Sequence, residues 1–145
     1  MAFNEAAGLE GVVREIRGAL DRIGRPSEIV IVDDGSADPT AEVAEGLAKD
    51  MPGVRVVRHL ENQGLGGVYR TGFREAAHDL VTFFPADGQF PASIIEQFAP
   101  LGAECDMVLG YLPDRGGSLA ALLSHAERLL YRLMFYALAA IGAVL

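Results

Sequence analysis

Apolar residues in this chain come in two rhythms, and the alternation between them predicts the fold. Over residues 5–20, Leu9, Val12, Val13, Ile16 and Leu20 recur at three- and four-residue steps, the stripe of an amphipathic helix. Asn4 stands at the expected N-cap, and Gly24-Arg25-Pro26-Ser27 closes the segment as a turn. Residues 28–32 then read as the first strand, its continuous apolar run Ile29-Val30-Ile31-Val32 being the signature of a buried parallel strand. Asp38-Pro39 marks a helix start, with Asp as cap and Pro at the first helical position. Val43, Ala44, Leu47 and Ala48 give that helix its apolar stripe, and Met51-Pro52-Gly53 breaks it. Val54-Arg55-Val56-Val57 reads as a second strand, a glycine-rich loop over 62–67 leads into a helix near 66–78, and residues 80–84 read as a third strand. Pro91 opens a short helix carrying Ile94, Ile95 and Phe98, and 106–110 reads as a fourth strand. After the loop Pro113-Asp114-Arg115-Gly116-Gly117, residues 118–145 read as one long helix or two. Strands alternating with helices predict an α/β fold on a mostly parallel sheet.

Two of the apolar runs stop at carboxylates followed by glycine: Ile31-Val32-Asp33-Asp34-Gly35-Ser36, and Phe83-Phe84-Pro85-Ala86-Asp87-Gly88-Gln89. In open α/β sheets, ligands bind in the crevice beyond the carboxyl ends of the strands. Two acidic strand ends facing one crevice suit a cation, the ribose and base of a nucleotide, or both. Asp and Ser are common in turns, so either tetrapeptide alone is a weak signal. Their repetition at two strand ends is what favours a site. Asp87 and Gln89 offer two hard oxygen ligands from one turn, which suits Mg²⁺ or Mn²⁺ carrying a diphosphate. An Asx-type turn is the bland alternative there.

The loop Asn62-Gln63-Gly64-Leu65-Gly66-Gly67 is not a P-loop, since no Gly-Lys-Ser/Thr follows, and Tyr69 stands where the dinucleotide fingerprint needs its third glycine. Its glycines read as a tight turn with close helix packing. His59, His78 and His125 share no metal spacing and read as surface or structural residues. Arg115, in a glycine-flanked loop after the fourth strand, is a candidate contact for anionic substrate.

Bulk properties narrow the partners. The net charge of −8 disfavours nucleic acid, whose affinity for proteins rests on Lys and Arg against phosphates. Half of the 145 residues are apolar, enough for a real core in one domain. The single Cys105 excludes an intrachain disulfide and fits a reducing compartment, and Met1-Ala2-Phe3-Asn4-Glu5 lacks the basic start and apolar core of a signal peptide. From Leu133 to Leu145 no residue is charged. The run falls short of the ~20 apolar residues of a membrane span, so 129–145 reads as an apolar helix that is buried or lies at an interface, with a truncated membrane helix as the alternative.

Asn4-Glu5, Ile31-Val32-Asp33-Asp34-Gly35-Ser36, Asn62-Gln63-Gly64-Leu65-Gly66 and Ala86-Asp87-Gly88-Gln89 occur in this order and at suitable spacing. Together they resemble family 2 glycosyltransferases of the GT-A fold, especially the dolichyl- or polyprenyl-phosphate sugar transferases, over residues 2 to about 128. The resemblance implies a Rossmann-like nucleotide-sugar-binding domain over 1–128, with helices on both faces of the sheet. It implies that Phe3, Glu5, Asp33, Asp34 and Gly35 hold the base and ribose of a nucleotide-diphosphate sugar. Asp87, the implied catalytic residue, would hold the divalent metal with Gln89. A polyprenyl phosphate oxygen would displace the nucleoside diphosphate with inversion, at the cytoplasmic face of a membrane. Three departures stand out. Pro85 replaces the first carboxylate of the family's Asp-x-Asp turn, which predicts weaker metal binding. The family's first strand, central between those equivalent to 28–32 and 80–84, should precede Ala2, so the chain is expected to be a fragment or to have the gap filled by another segment or chain, a homo-oligomer included. The acceptor-side segment lies beyond about Arg128, so a donor-binding remnant without turnover is the alternative expectation. A phosphoacceptor signalling domain would need a lysine late in the chain, and the only lysine is Lys49.

Overall fold

The computed structural model describes residues 1–110. Six elements follow one another: α1 (Ala6–Ile23), β1 (Ile29–Asp33), α2 (Thr40–Asp50), β2 (Val54–Arg58), α3 (Gly64–Glu75) and α4 (Ser93–Leu101). β1 and β2 are parallel, with Ile29 opposite Val54 and Asp33 opposite Arg58. A parallel pair needs a crossover, and α2 supplies it.

Side-chain parity sorts the helices onto two faces of this sheet. Ile29, Ile31, Val54 and Val56 point into the core beside Leu9, Val12, Val13 and Ile16 of α1 and Ala44 and Leu47 of α2. Val32 is equally buried but lies outside that cluster, and α3, which packs on β1, covers its side. Arg55, also of opposite parity, confirms the assignment: its guanidinium bonds Glu28 Oε2 at 2.9 Å and Glu75 Oε2 at 3.3 Å, the latter at the end of α3. α4 packs on α1, where Ala92 and Ile95 join the core and the Ala92 amide donates to Glu15 Oε1 at 3.0 Å.

The chain start adds a third rank to the sheet. The Ile29 amide bonds Gly53 O and the His59 amide bonds Asp33 O, so the odd residues of β1 bond β2 and the even ones face the other edge. There the Ala2 amide donates to Val32 O and the Asp34 amide to Ala2 O, each at 2.9 Å. On its far side Met1 is bonded by the 84–86 segment: its nitrogen donates to Phe84 O at 3.2 Å, and the Ala86 amide donates to its carbonyl at 3.1 Å.

Several expectations are corrected. Residues 80–84 form no strand, and Leu80 and Val81 are exposed. The apolar run was read as a buried strand, but a strand exists only where a neighbour supplies hydrogen bonds, and only Met1 and Ala2 stand between this segment and β1. Residues 106–110 likewise form no strand, with Met107 and Leu109 exposed. The third helix runs over 64–75 rather than 66–78. Asn4 does not cap α1; Glu5 takes that position without a side-chain bond. Asp38 bonds the Thr40 amide from just outside α2, but Pro39, not Asp38, takes the N-cap position and the helix begins at Thr40. The apolar run after Arg132, the 129–145 segment and Arg115 lie outside the described residues. No helix among the described residues is long and apolar enough to cross a membrane.

The core assignment is checked by stability. Leu9→Ala removes a side chain that is only 2 % exposed and should cost about 3 kcal/mol in urea unfolding. Gly46→Ala, mid-α2 with nothing within 4 Å of the added methyl, should gain up to about 1 kcal/mol.

Candidate functional site

The turn after β1 is built from its own short polar side chains. Asp33 is fully buried, and its Oδ1 accepts from the Ser36 amide at 3.2 Å and the Ser36 hydroxyl at 2.5 Å. Ser36 Oγ in turn accepts from the Asn4 amide at 3.0 Å, and Asn4 Oδ1 accepts from the Ala37 amide at 2.9 Å. Asn4 holds a left-handed backbone (φ 56°), which short amide side chains tolerate better than most residues. The Glu5 amide donates to Thr40 Oγ1 at 2.8 Å. Asp38 Oδ2 accepts from the Ala6 amide at 3.2 Å while its Oδ1 serves Thr40, so one carboxylate caps both α1 and α2. The Thr40 hydroxyl, then the Thr40 and Ala6 amides, hold the Asp38 carboxyl below its ordinary pKa against the penalty of desolvation.

Asp34 does the same for α3. Its Oδ1 accepts from the Gln63 amide at 2.9 Å and its Oδ2 from the Gly64 amide at 2.9 Å. Gln63, at the N-cap of α3, makes no side-chain cap of its own; the anion comes from another strand. The third donor is His59, whose Nδ1 lies 2.6 Å from Asp34 Oδ1 and whose Nε2 lies 2.9 Å from Thr71 Oγ1. Burial alone pushes the Asp34 carboxyl up, but the Gln63 amide, the His59 ring and the Gly64 amide outweigh it and leave its pKa below the ordinary 3.8. An anion already sits at this helix N-terminus, so the glycine-rich 62–67 loop does not cradle phosphate there. Gly35 explains its own identity. It has φ +73°, and a Cβ there would lie 2.7 Å from Glu61 C and 2.8 Å from Asn62 N, both backbone atoms.

Two carboxylates remain uncommitted. Asp33 Oδ2 is buried without a hydrogen-bond partner, with Arg58 Nε 3.5 Å away. Asp87 is exposed, and its Oδ1 accepts from the Gln89 amide at 3.0 Å in the Asx-type turn weighed above. Gly88 (φ +70°) bends that turn against Val12 of α1. Through Met1 and Ala2, the Asp87 turn and the Asp33-Asp34 turn flank one rim of the sheet, with Phe3 (46 % exposed) and the half-buried Glu5 beside them. The structure therefore sets Phe3, Glu5, Asp33, Asp34 and Gly35 around the turn after β1, and ties the segment just before Asp87 and Gln89 to that turn through Met1 and Ala2. No group of three His, Cys, Asp or Glu side chains able to hold a metal occurs among the described residues. Asp87 alone suits a divalent cation that arrives with phosphate oxygens and its own waters, not one held by the protein in advance.

His59, Thr71 and Arg58 are site-framing residues that the sequence reading missed. The available signal was register: β2 ends beside β1, so residues 58 and 59 had to border the acidic pair.

Comparison with known proteins converges on one family. The family profile described as "Glycosyl transferase family 2" matches residues 1–136. A dolichol-phosphate mannosyltransferase of Pyrococcus furiosus is 34% identical over 118 residues, covering 81% of this chain and 33% of that protein. An undecaprenyl-phosphate 4-deoxy-4-formamido-L-arabinose transferase of Pseudomonas paraeruginosa is 34% identical over 114 residues, covering 77% and 33%. An undecaprenyl-phosphate mannosyltransferase of Micrococcus luteus is 29% identical over 120 residues, covering 81% and 48%. The chain thus spans between a third and a half of the length of these relatives.

Two measurements check the frame. Gly35→Ala should destabilise by about 2 kcal/mol or more, because strain and backbone overlap add. Asp34, with its pKa depressed on folding, contributes stability that is complete above its ordinary value of 3.8 and is lost as pH falls through the lower folded value. Asp34→Asn should therefore be less stable at neutral pH and show a flatter loss of stability below about pH 4, read from urea midpoints across pH.

Proposed function

The chain belongs to glycosyl transferase family 2, and we propose that it binds a nucleotide-diphosphate sugar at the rim between its two acidic turns and serves transfer of the sugar to polyprenyl phosphate. The observation that carries the reading is the convergence of the two turns on opposite sides of Met1 and Ala2. The names of the relatives, which act on dolichol phosphate and undecaprenyl phosphate, supply the acceptor class.

Each residue has a role that its environment supports. Asp33 Oδ2, a buried acceptor without a donor, suits a ribose hydroxyl, since buried polar atoms are rarely left unpaired. Phe3 offers a half-exposed ring at the same rim, suited to the nucleobase. Glu5 adds an acceptor there, and Gly35 lets the backbone close over the 61–62 segment. Asp34 shapes the turn through α3. Arg115 joins the proposal as a contact for anionic substrate. Asp87, with Gln89, holds the divalent cation, Mg²⁺ or Mn²⁺; when bound, the cation neutralises charge developing on the diphosphate leaving group. The chain carries −8, so without a cation the acidic rim would repel a diphosphate.

The chemistry asks little else of the side chains. A phosphate oxygen of the acceptor attacks the anomeric carbon while the bond from that carbon to the diphosphate oxygen breaks, so the configuration inverts. The acceptor is already anionic, and no strong general base is required. A polyprenyl acceptor places the reaction at a membrane surface, at the cytoplasmic face where nucleotide sugars are supplied. A second copy of the chain is a further partner consistent with the incomplete sheet.

The test is transfer and binding with the full chain. Incubation with UDP- and GDP-sugars, polyprenyl phosphate and Mg²⁺ or Mn²⁺ should give a lipid-linked sugar. Asp87→Ala should lower the rate by at least about 100-fold and remove the response of donor affinity to added cation. Donor binding without transfer would mark the chain as a donor-binding unit, and calorimetry showing no affinity for any nucleotide sugar would sink the reading.

A further inference from the structure

His59 is 6 % exposed and stands at a three-way junction. Its backbone amide donates to Asp33 O at 2.9 Å, and its ring reaches Asp34 on one side and Thr71 of α3 on the other. The ionised Asp34 carboxylate can only accept, so Nδ1 carries the ring proton. In the neutral ring Nε2 then accepts from the Thr71 hydroxyl. The order carboxylate, imidazole, hydroxyl is that of a nucleophilic triad, but Thr71 is 4 % exposed on the sheet-facing side of α3, where no substrate carbon reaches it. The relay therefore orders structure instead of activating a nucleophile.

What it orders is specific. Asp34 receives three donors: the His59 ring, which comes from the end of β2, and the amides of Gln63 and Gly64, which open α3. Without the ring, Oδ1 keeps the Gln63 amide and Oδ2 the Gly64 amide, so the carboxylate and its loop lose their side-chain tie to the end of β2. That loop also approaches Gly35 within van der Waals contact, and Gly35 borders the uncommitted Asp33. We infer that His59 is a positioning residue: it fixes the Asp34 carboxylate and, through it, the 61–64 loop that walls the nucleotide crevice. The link to the nucleotide rests on the proposed function; the link to the loop does not.

Three full-length variants separate the roles. His59→Phe keeps the volume and removes both ring bonds. His59→Asn retains a side-chain N–H directed at Asp34. Thr71→Val removes only the distal hydroxyl. Amide hydrogen exchange at Gln63 and Gly64 reads the clamp, and calorimetric affinity for UDP and GDP reads the crevice. Expected is an increase of about tenfold or more in exchange at both amides in His59→Phe, a similar loss of affinity for whichever nucleotide binds, substantial rescue of both by His59→Asn, and a smaller effect of Thr71→Val. Unchanged exchange at 63 and 64 in His59→Phe, or equal effects of Phe and Asn, would overturn the inference, as would raised exchange with unaltered nucleotide affinity. If His59→Phe fails to fold, the Asn and Val variants decide by the same readouts. An unmodified chain that binds neither nucleotide defeats the functional reading instead, and the exchange comparison then judges the clamp alone.

Discussion

The arrangement depends on carboxylates that cap helices to which they do not belong. Asp34 closes the start of α3 from the end of β1, and Asp38 closes α1 while opening α2. A helix start leaves amides without intrahelical partners, and an anion there is worth roughly 0.3–1 kcal/mol, more when partly buried. Here the anions do more than stabilise single helices. They bind elements far apart in sequence to the one turn between β1 and α2. Three helix starts therefore meet at the rim where β1 ends, and the position of that rim is over-determined. The short distances around Ser36, Thr40 and His59 belong to the same web. This is why two of the acidic residues that look exposed and ligand-seeking in the sequence are among its most buried polar groups.

The pattern of apolar residues revealed the elements whose partners lie close by. α1, α2, β1 and β2 follow from three- and four-residue steps and from short apolar runs, because each buries its apolar side against the next element. The runs over 80–84 and 106–110 are as strand-like in composition, yet they form none. A ladder is a property of two segments, and composition describes one. The site divides along the same line. Asp33, Asp34 and Asp87 announce themselves beside glycines at the ends of apolar runs. His59 and Thr71 have no local mark, since their meaning lies in partners 25 and 12 residues away. Asn4 misled because its chemistry suits a cap; its side chain instead bonds Ala37, a partner no local rule points to.

Membership in family 2 fits this division of labour. The matched segment makes up between a third and a half of each of these relatives. Pro85 lies one residue before the amide that bonds Met1 and takes no part in capping, so the frame does not depend on its side chain.

The insertion of Ala2 between the two acidic turns has a consequence for what substitution can alter. Asp34 and Ala86 are each bonded to main-chain atoms of adjoining residues, Ala2 and Met1, so the gauge of the crevice is two peptide-ladder spacings, about 10 Å. Side-chain replacement on either bank leaves that gauge untouched, as a vice keeps its rails when the jaws are changed.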